Sequence, residues 1–549
     1  QEGRGMLMGT YEKAGVPWSE KTTPWDFGHE LLAPDLDRIA PSLEVGFRHF
    51  PAFETAGIRQ IVNGPFTFAP DGNPLIGPVR GLANYWVACG VMAGFSQGGG
   101  VGLALANWMI EGDPGFDVWG MDVARFGDWV RPAYTNAKVR ENYSRRFSIT
   151  FPNEELPAGR PLRQTPIHGR LQAANAVFGA SFGVEHALWF APEDAEPRED
   201  VTFRRSNAFE PVAGEVRAVR EGVGLIETSN FAKYRVTGPG AEAWLDQLLV
   251  NTMPVEGRIV LAPMLNPAGR LIGDFTVARM GPEEFLVFGS GIAEQYHMRW
   301  FEARRPERGV RVEALGLGLV GLSIAGPEAR ELLARVVWDA DVSGAAFPFM
   351  TLRRLDIGPA PCLVGRLTFT GDLGYEIWMT PDLQAAVFDR LLAAGRDLGL
   401  RLFGARALDS LRLDKDFGSW AREYRPIYTA HEAGLDRFVK LDKGDFTGRE
   451  SVLRELERGP ERTLVAFTVD AEAADVIGDE PIWHEGRVVG WVTSGGYAHW
   501  SRASVALGYL PRDLAVPEAG FEIEILGRRR PASLRQRPLF DPAGARMRG

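Results

Sequence analysis

Alternation of apolar and polar positions marks the most informative strand of the chain. Phe275-Thr-Val-Ala-Arg279 alternates with period two, and Pro267, Ala268 and Gly269 just before it are turn formers. Residues 265–279 therefore predict a β-hairpin. Asp274 stands at the start of the strand beside Gly273. A carboxylate there can cap the turn or receive a ligand amine, and the local sequence leaves both roles open. A second hairpin pattern runs over Arg366–Met379, with Glu376 set between Tyr375 and Ile377. An acid among apolar strand residues needs donors, and a heterocycle with adjacent N–H groups, such as a pterin, satisfies it bidentately.

Larger units follow from the order of periodic segments. Tyr234-Arg-Val-Thr-Gly-Pro-Gly-Ala-Glu-Ala-Trp-Leu245 reads as strand, Gly-Pro break and helix. The same order recurs in Gly321-Leu-Ser-Ile-Ala-Gly-Pro-Glu-Ala-Arg-Glu-Leu-Leu333, which predicts an internally duplicated α+β domain. A cleft between two such halves is a natural ligand site. A helix is expected over Ala405–Lys415, and residues 460–540 read as a smaller all-β module. Nearer the start, a strand at Tyr85–Ala88, a glycine turn and a helix at Val101–Ile110 are expected. Leu82–Ile110 is uncharged, but Gly98–Gly100, Gln97 and Asn107 interrupt it, so no membrane span is expected. Gly316-Leu-Gly-Leu-Val-Gly321 spells a dinucleotide-binding pattern but continues as a strand instead of opening a helix, so it is rejected.

Composition narrows the class. The 549 residues suggest three or four domains, and the net charge of −10 argues against nucleic acid as a partner. Arg528–Arg530 then read as a solvated edge. Two cysteines, Cys89 and Cys362, form neither a disulfide framework nor a metal pair, which suits a reducing compartment and leaves no metal site expected. The sequence starts at Gln1 without a leader, as a processed or truncated product would.

Two resemblances supply a function. Pro70-Asp-Gly-Asn-Pro-Leu-Ile-Gly77 followed by Ser96–Gly102 resembles the C-terminal end of amine-oxidising flavoproteins of the glycine oxidase and sarcosine oxidase type. That likeness implies FAD, with Pro74, Leu75, Ser96, Gln97, Gly98, Gly99 and Gly100 on its side. The family's own dinucleotide loop and flavin-attaching histidine would lie upstream of Gln1. From about 201 to 540 the chain resembles the folate-binding aminomethyltransferase (T-protein) of the glycine cleavage system. Gly238-Pro239, Gly273–Val277, Gly374–Glu376, Asp409–Leu413, Asp445–Arg449 and Thr493–Gly495 carry that likeness. The fusion of both parts looks like the family of dimethylglycine dehydrogenase, sarcosine dehydrogenase and dimethylglycine oxidase.

The fold implied is α+β: the end of a flavoprotein amine-oxidase domain (1–127), a connector (128–200), a T-protein-like folate domain (201–455) and a C-terminal β-barrel (456–549). The resemblance implies oxidative demethylation of an N-methylglycine-type amine, with the one-carbon unit passed to tetrahydrofolate. Asp274 would be the catalytic acid, Glu376 the pterin-binding acid, and Tyr375 and Trp420 would pack on the folate or shape its channel. In the T-protein an arginine follows the two small residues of the Asp409–Leu413 helix; Leu408 stands there, and Arg406 is the neighbouring candidate. Two alternatives are a transferase whose flavin half is another chain and a non-catalytic folate-binding subunit. The partners expected are an N-methylated amino acid and tetrahydrofolate, with oligomerisation possible. The setting expected is the bacterial cytoplasm, or the mitochondrial matrix in a eukaryote.

Overall fold

The computed structural model describes residues 5–549, which fall into two compact units. The first holds residues up to 150 together with 156–161. In it, helix α1 (Leu36–His49) starts on Asp35, whose side chain accepts the Arg38 N–H at 3.2 Å. Strands β1 (Leu75–Pro78) and β2 (Trp86–Cys89) pair antiparallel, then come α2 (Gly94–Glu111) and α3 (Pro132–Ser144). The expected glycine turn is absent: α2 starts at Gly94 and takes Gly98–Gly100 into its first turns. Each glycine costs about 1 kcal/mol there relative to alanine, and Val101, Ala104 and Trp108 offset it by burying one face. Gly112, at φ 77°, closes the helix through its N–H to Trp108 O. Among the described residues no helix is long and apolar enough to cross a membrane.

The second unit holds 151–155 and 162–549. It opens with α4 (His168–Ala173), the hairpin β3 (Ala176–Ser181) and β4 (Val184–Phe190), α5 (Phe209–Glu221) and β5 (Gly224–Glu227). Two similar halves follow. The first runs β6 (Ala232–Thr237), α6 (Ala241–Leu248), β7 (Ile259–Leu265), β8 (Leu271–Gly281), β9 (Glu284–Gly289), α7 (Glu294–Arg304) and β10 (Arg311–Ala314). The second runs β11 (Val320–Ala325), α8 (Ala329–Val336), β12 (Leu352–Ile357), β13 (Ala360–Gly365), β14 (Gly374–Met379), α9 (Pro381–Ala394) and β15 (Arg401–Leu402). Sheet order is β10-β6-β9-β8-β7 in one half and β15-β5-β11-β14-β13-β12 in the other. The order β6-β9-β8-β7 thus repeats as β11-β14-β13-β12, as the repeated Gly-Pro motif predicts.

That motif has one physical cause in both halves. Gly238 and Gly326 sit at φ 117° and 130°, and a Cβ on either would stand 2.3 Å from a main-chain oxygen, of Gly309 or Gly222. Only glycine fits, and the proline after it starts the turn into the helix. Gly316–Gly318 is a single 3-10 turn leading into β11, so no helix follows the dinucleotide-like pattern.

Helices α10 (Ala405–Asp414) and α11 (Arg449–Arg458) lead to a closed barrel of β16 (Arg462–Val469), β17 (Pro481–His484), β18 (Arg487–Ala498), β19 (Ala503–Pro511), β20 (Phe521–Ile525) and β21 (Arg528–Arg535). A short α12 (Ala545–Arg548) ends the chain. The stretch expected as a connector contains α3 in the first unit and the β3–β4 hairpin in the second. The main core of the second unit lies between the second sheet and α8 and α9, around Leu322, Leu332, Leu333, Tyr375, Ile377 and Phe388.

Candidate functional site

The hairpin forms where the turn residues place it. Gly269, at φ 79°, donates its N–H to Asn266 O at 2.9 Å, and the Asn266 carboxamide accepts the Arg270 N–H at 2.8 Å. Pairing starts at once, so β8 begins at Leu271 and Asp274 lies inside the strand, opposite Pro263 of β7. Side chains alternate along β8. Phe275 points into the core under α7, edge-on to His297 at 4.7 Å. Asp274 and Thr276 point the other way, on the face that also carries Phe288, the register partner of Thr276 on β9.

The second sheet presents a matching face. Glu376 and Trp378 share one side of β14, across from Ser323 and Gly321 of β11. The two faces meet where the rings of Phe288 and Trp378 lie 4.9 Å apart. Asp274 and Glu376 therefore project from opposed sheet surfaces, one from each half of the duplicated domain. Both are half-buried, and neither has an arginine or lysine ion pair among the described residues.

Burial without a counter-ion dominates the electrostatics. It pushes the Asp274 carboxyl up to about 7; its own backbone N–H opposes the rise and the charge of Glu423 adds to it. Burial also raises Glu376 to about 7, against the indole N–H of Trp378, which donates to it. Two acceptors near neutrality, short of donors, suit a ligand that brings N–H groups.

The backbone beside Asp274 is fixed from two sides. The carbonyl of Ile272 accepts His297 Nε2–H at 2.9 Å and Trp420 Nε1–H at 2.9 Å. Burial lowers His297 to about 3, so the ring is neutral and its single proton serves this bond. Gly273 leaves room for the arrangement, since a Cβ there would stand 2.6 Å from the Phe275 ring and 3.0 Å from His297 Nε2.

The expected site residues divide accordingly. Trp420 reaches the neighbourhood of Asp274, but its polar edge is spent on Ile272 O. Tyr375 turns to the opposite face of β14 from Glu376, fully buried at 5.5 Å from Phe347, because neighbours in a strand alternate. Its ring belongs to the core and does not reach the Glu376 face. Arg406 lies elsewhere on the same unit, in a cleft of about 370 Å³ bounded by α5, α10 and β18. There it binds Asn153 Oδ1 at 2.6 Å and Glu199 Oε2 at 3.3 Å. Tyr424 is the neighbour that sequence reasoning passed over as a site residue. Burial and then the charges of Asp274 and Glu423 raise its phenol.

In the first unit, Pro74 is buried and Leu75 half-buried on the β1 side, and Gln97 is half-buried in α2. Ser96 bonds back to Ala93 O at 3.1 Å. Gly98, Gly99 and Gly100 are exposed, with nothing within 4 Å of the position a Cβ would take. Such an open main-chain surface fits the close approach of a planar ring.

Residues 167–443, just over half of the chain, match the GCVT N-terminal domain, and 462–541 match the glycine cleavage T-protein C-terminal barrel domain. The chain belongs to the glycine cleavage T-protein family. Ahead of those segments, residues 1–108 match the FAD dependent oxidoreductase family and 111–165 its central domain. Over its whole length the chain is similar to dimethylglycine and sarcosine dehydrogenases. Mitochondrial dimethylglycine dehydrogenase of Mus musculus is 36% identical over 559 residues, covering 100% of this chain and 64% of that protein. Mitochondrial sarcosine dehydrogenase of Homo sapiens is 30% identical over 606 residues, covering 100% and 65%. The chain thus spans about two thirds of the length of these curated relatives. Among solved structures, the glycine cleavage system aminomethyltransferase T from Bartonella henselae superimposes with a TM-score of 0.60 at 23% identity. It covers 69% of this chain and 99% of that one, and shares the fold of the second unit.

Proposed function

We propose that this T-protein family member is the folate-side portion, with part of the flavin side, of an enzyme that oxidatively demethylates an N-methylglycine-type amine such as dimethylglycine or sarcosine. The one-carbon unit passes to tetrahydrofolate as methylene-tetrahydrofolate. The observation that carries this reading is the pair Asp274 and Glu376, one acid on each of two facing sheets, both raised to about 7 and both short of donors. The FAD dependent oxidoreductase segments ahead of them support the oxidative half.

FAD, when bound, supplies the two-electron oxidation of the N-methyl group. On the protein side, Gly98–Gly100 offer the open main-chain surface against which its ring would lie. In the second unit, Glu376 would accept adjacent N–H groups of the pterin and orient it. Asp274, raised toward neutrality, would in its ionised form stabilise the electrophilic carbon and take the folate nitrogen's proton as the new C–N bond forms.

Isothermal titration of the chain with tetrahydrofolate tests the folate half directly. Micromolar to sub-millimolar binding, weakened by Glu376→Gln, is expected. No heat at millimolar folate refutes the reading.

A further inference from the structure

Glu423 is a buried carboxylate for which the one-carbon transfer has no direct use. It lies on the loop between α10 and α11 and is fully shielded from solvent. Its Oε2 accepts the Ser419 N–H at 2.9 Å and Arg412 Nη1 at 3.3 Å, and its Oε1 accepts Thr493 Oγ1–H at 2.6 Å. Its main-chain carbonyl accepts the Tyr509 hydroxyl at 2.7 Å. Thr493 is on β18 and Tyr509 on β19, so two of the four donors come from the barrel. A buried carboxylate this fully satisfied fixes the chain around it, because losing any one partner strands the rest.

The next residue transmits that fixation. Tyr424 packs so closely on Gly418 that a Cβ there would stand 2.7 Å from the phenol oxygen, and the Gly418 N–H donates to that oxygen. Tyr424 packs on the cluster that holds Leu265 and Leu271 at the two ends of the hairpin, and Trp420 of the same loop donates to Ile272 O at 2.9 Å, two residues before Asp274; the charges of Asp274 and Glu423 both act on the phenol. Building on the folate-side reading of Asp274, we propose that Glu423 is a positioning residue of that site: clamped by the barrel, it fixes Tyr424 and a negative charge beside Asp274.

The charged surroundings are specific. Asp274 faces Glu423 and Tyr424 from the loop, while His297 of α7 lies behind β8 and is neutral. Glu423 is faced by Arg412 of α10, Tyr424 and Tyr509. Arg412 also binds Asp409 Oδ1 at 2.8 Å, so it does not cancel Glu423 alone. Glu423→Gln is close to isosteric. The carboxamide oxygen can take the Oε2 place and its NH2 can donate to Thr493, whose hydroxyl then donates to Leu507 O, 3.2 Å away.

The test is the pH dependence of tetrahydrofolate binding by the full chain, followed by tryptophan fluorescence between pH 5 and 9. Removing the Glu423 charge makes Asp274 ionise more readily, so the midpoint in E423Q moves to lower pH, by roughly 0.5–1 unit. Glu423→Asp, which restores the charge, moves it back toward the wild-type value. An E423Q profile that overlays the wild type, with D274N flattened, overturns the proposal. A D274N variant that keeps the wild-type profile overturns the folate-side reading of Asp274 instead. If E423Q fails to fold, Tyr424→Phe reads the same arrangement: it leaves the Gly418 N–H unpaired, and roughly 3–10-fold weaker folate binding, measured at a temperature where the variant stays folded, is expected. Wild-type affinity and profile in Y424F refute the proposal.

Discussion

Replacing Asp274 by Asn should stabilise the protein at alkaline pH while removing the acid proposed to act on the folate side. The ordinary carboxyl value of 3.8 is displaced to about 7 in the folded protein. Below pH 4 the carboxyl is protonated in both folded and unfolded chains and contributes nothing. As the pH rises through 4 to 7 the unfolded chain loses its proton first, which favours unfolding. Above 7 the penalty is constant. A displacement of about three pH units corresponds to roughly 4 kcal/mol, a ceiling that partial solvent contact lowers to about 1–3 kcal/mol. Glu376 contributes a penalty of the same sign. Urea unfolding at pH 5.5 and pH 8 should therefore show a less stable wild type at pH 8, with D274N more stable than wild type at both and by a larger margin at pH 8. A D274N chain less stable than wild type at pH 8, or with the wild-type difference between the two pH values, would show that Asp274 is not an uncompensated acid. The same variant should lose the pH dependence of folate binding, so that stability and function move in opposite directions.

Three further outcomes are expected. Gly273→Ala should destabilise by about 1–3 kcal/mol in chemical denaturation, since its Cβ would press on the Phe275 ring at 2.6 Å and on His297. Trp420→Phe keeps an aromatic ring but removes the Nε1–H bond to Ile272 O and leaves a small void where the buried indole packed; about 1–3 kcal/mol of stability should go with it, and tetrahydrofolate should bind less tightly by calorimetry. Thiol titration of the native chain should find only the exposed Cys89, because Cys362 is buried and its thiol is pushed up to about 12; both should react in denaturant.

Much of the second unit is legible from sequence because its rules are local. Gly238 and Gly326 advertise the duplication, since only glycine tolerates the main-chain oxygen standing where a Cβ would be. The hairpin around Gly269 follows from its turn residues, and the placement of Asp274 follows from the hairpin. Tyr375 shows the limit of adjacency: it is next to Glu376 in sequence, yet strand alternation sends it into the core behind. Arg406 shows another, since helical periodicity says which residues share a face but not which cleft that face lines. Glu423 and Tyr424 sit in an irregular loop without periodicity, and their relation to Asp274 depends on contacts with a barrel some seventy to ninety residues further on. The start of α2 was hidden because a glycine run suggests a turn, whereas burial of Val101, Ala104 and Trp108 decides the matter.

The duplicated halves do not carry duplicated acids. Asp274 is on β8, whose counterpart in the second half is β13, whereas Glu376 is on β14, the counterpart of β9. On the folate-side reading the two tasks therefore fall on non-equivalent strands: holding the ring on β14, and proton transfer at its nitrogen on β8. Libraries confined to the Glu376 face of β14 should accordingly change ligand preference with little effect on turnover of what is bound. Those on the Asp274 face of β8 should do the reverse.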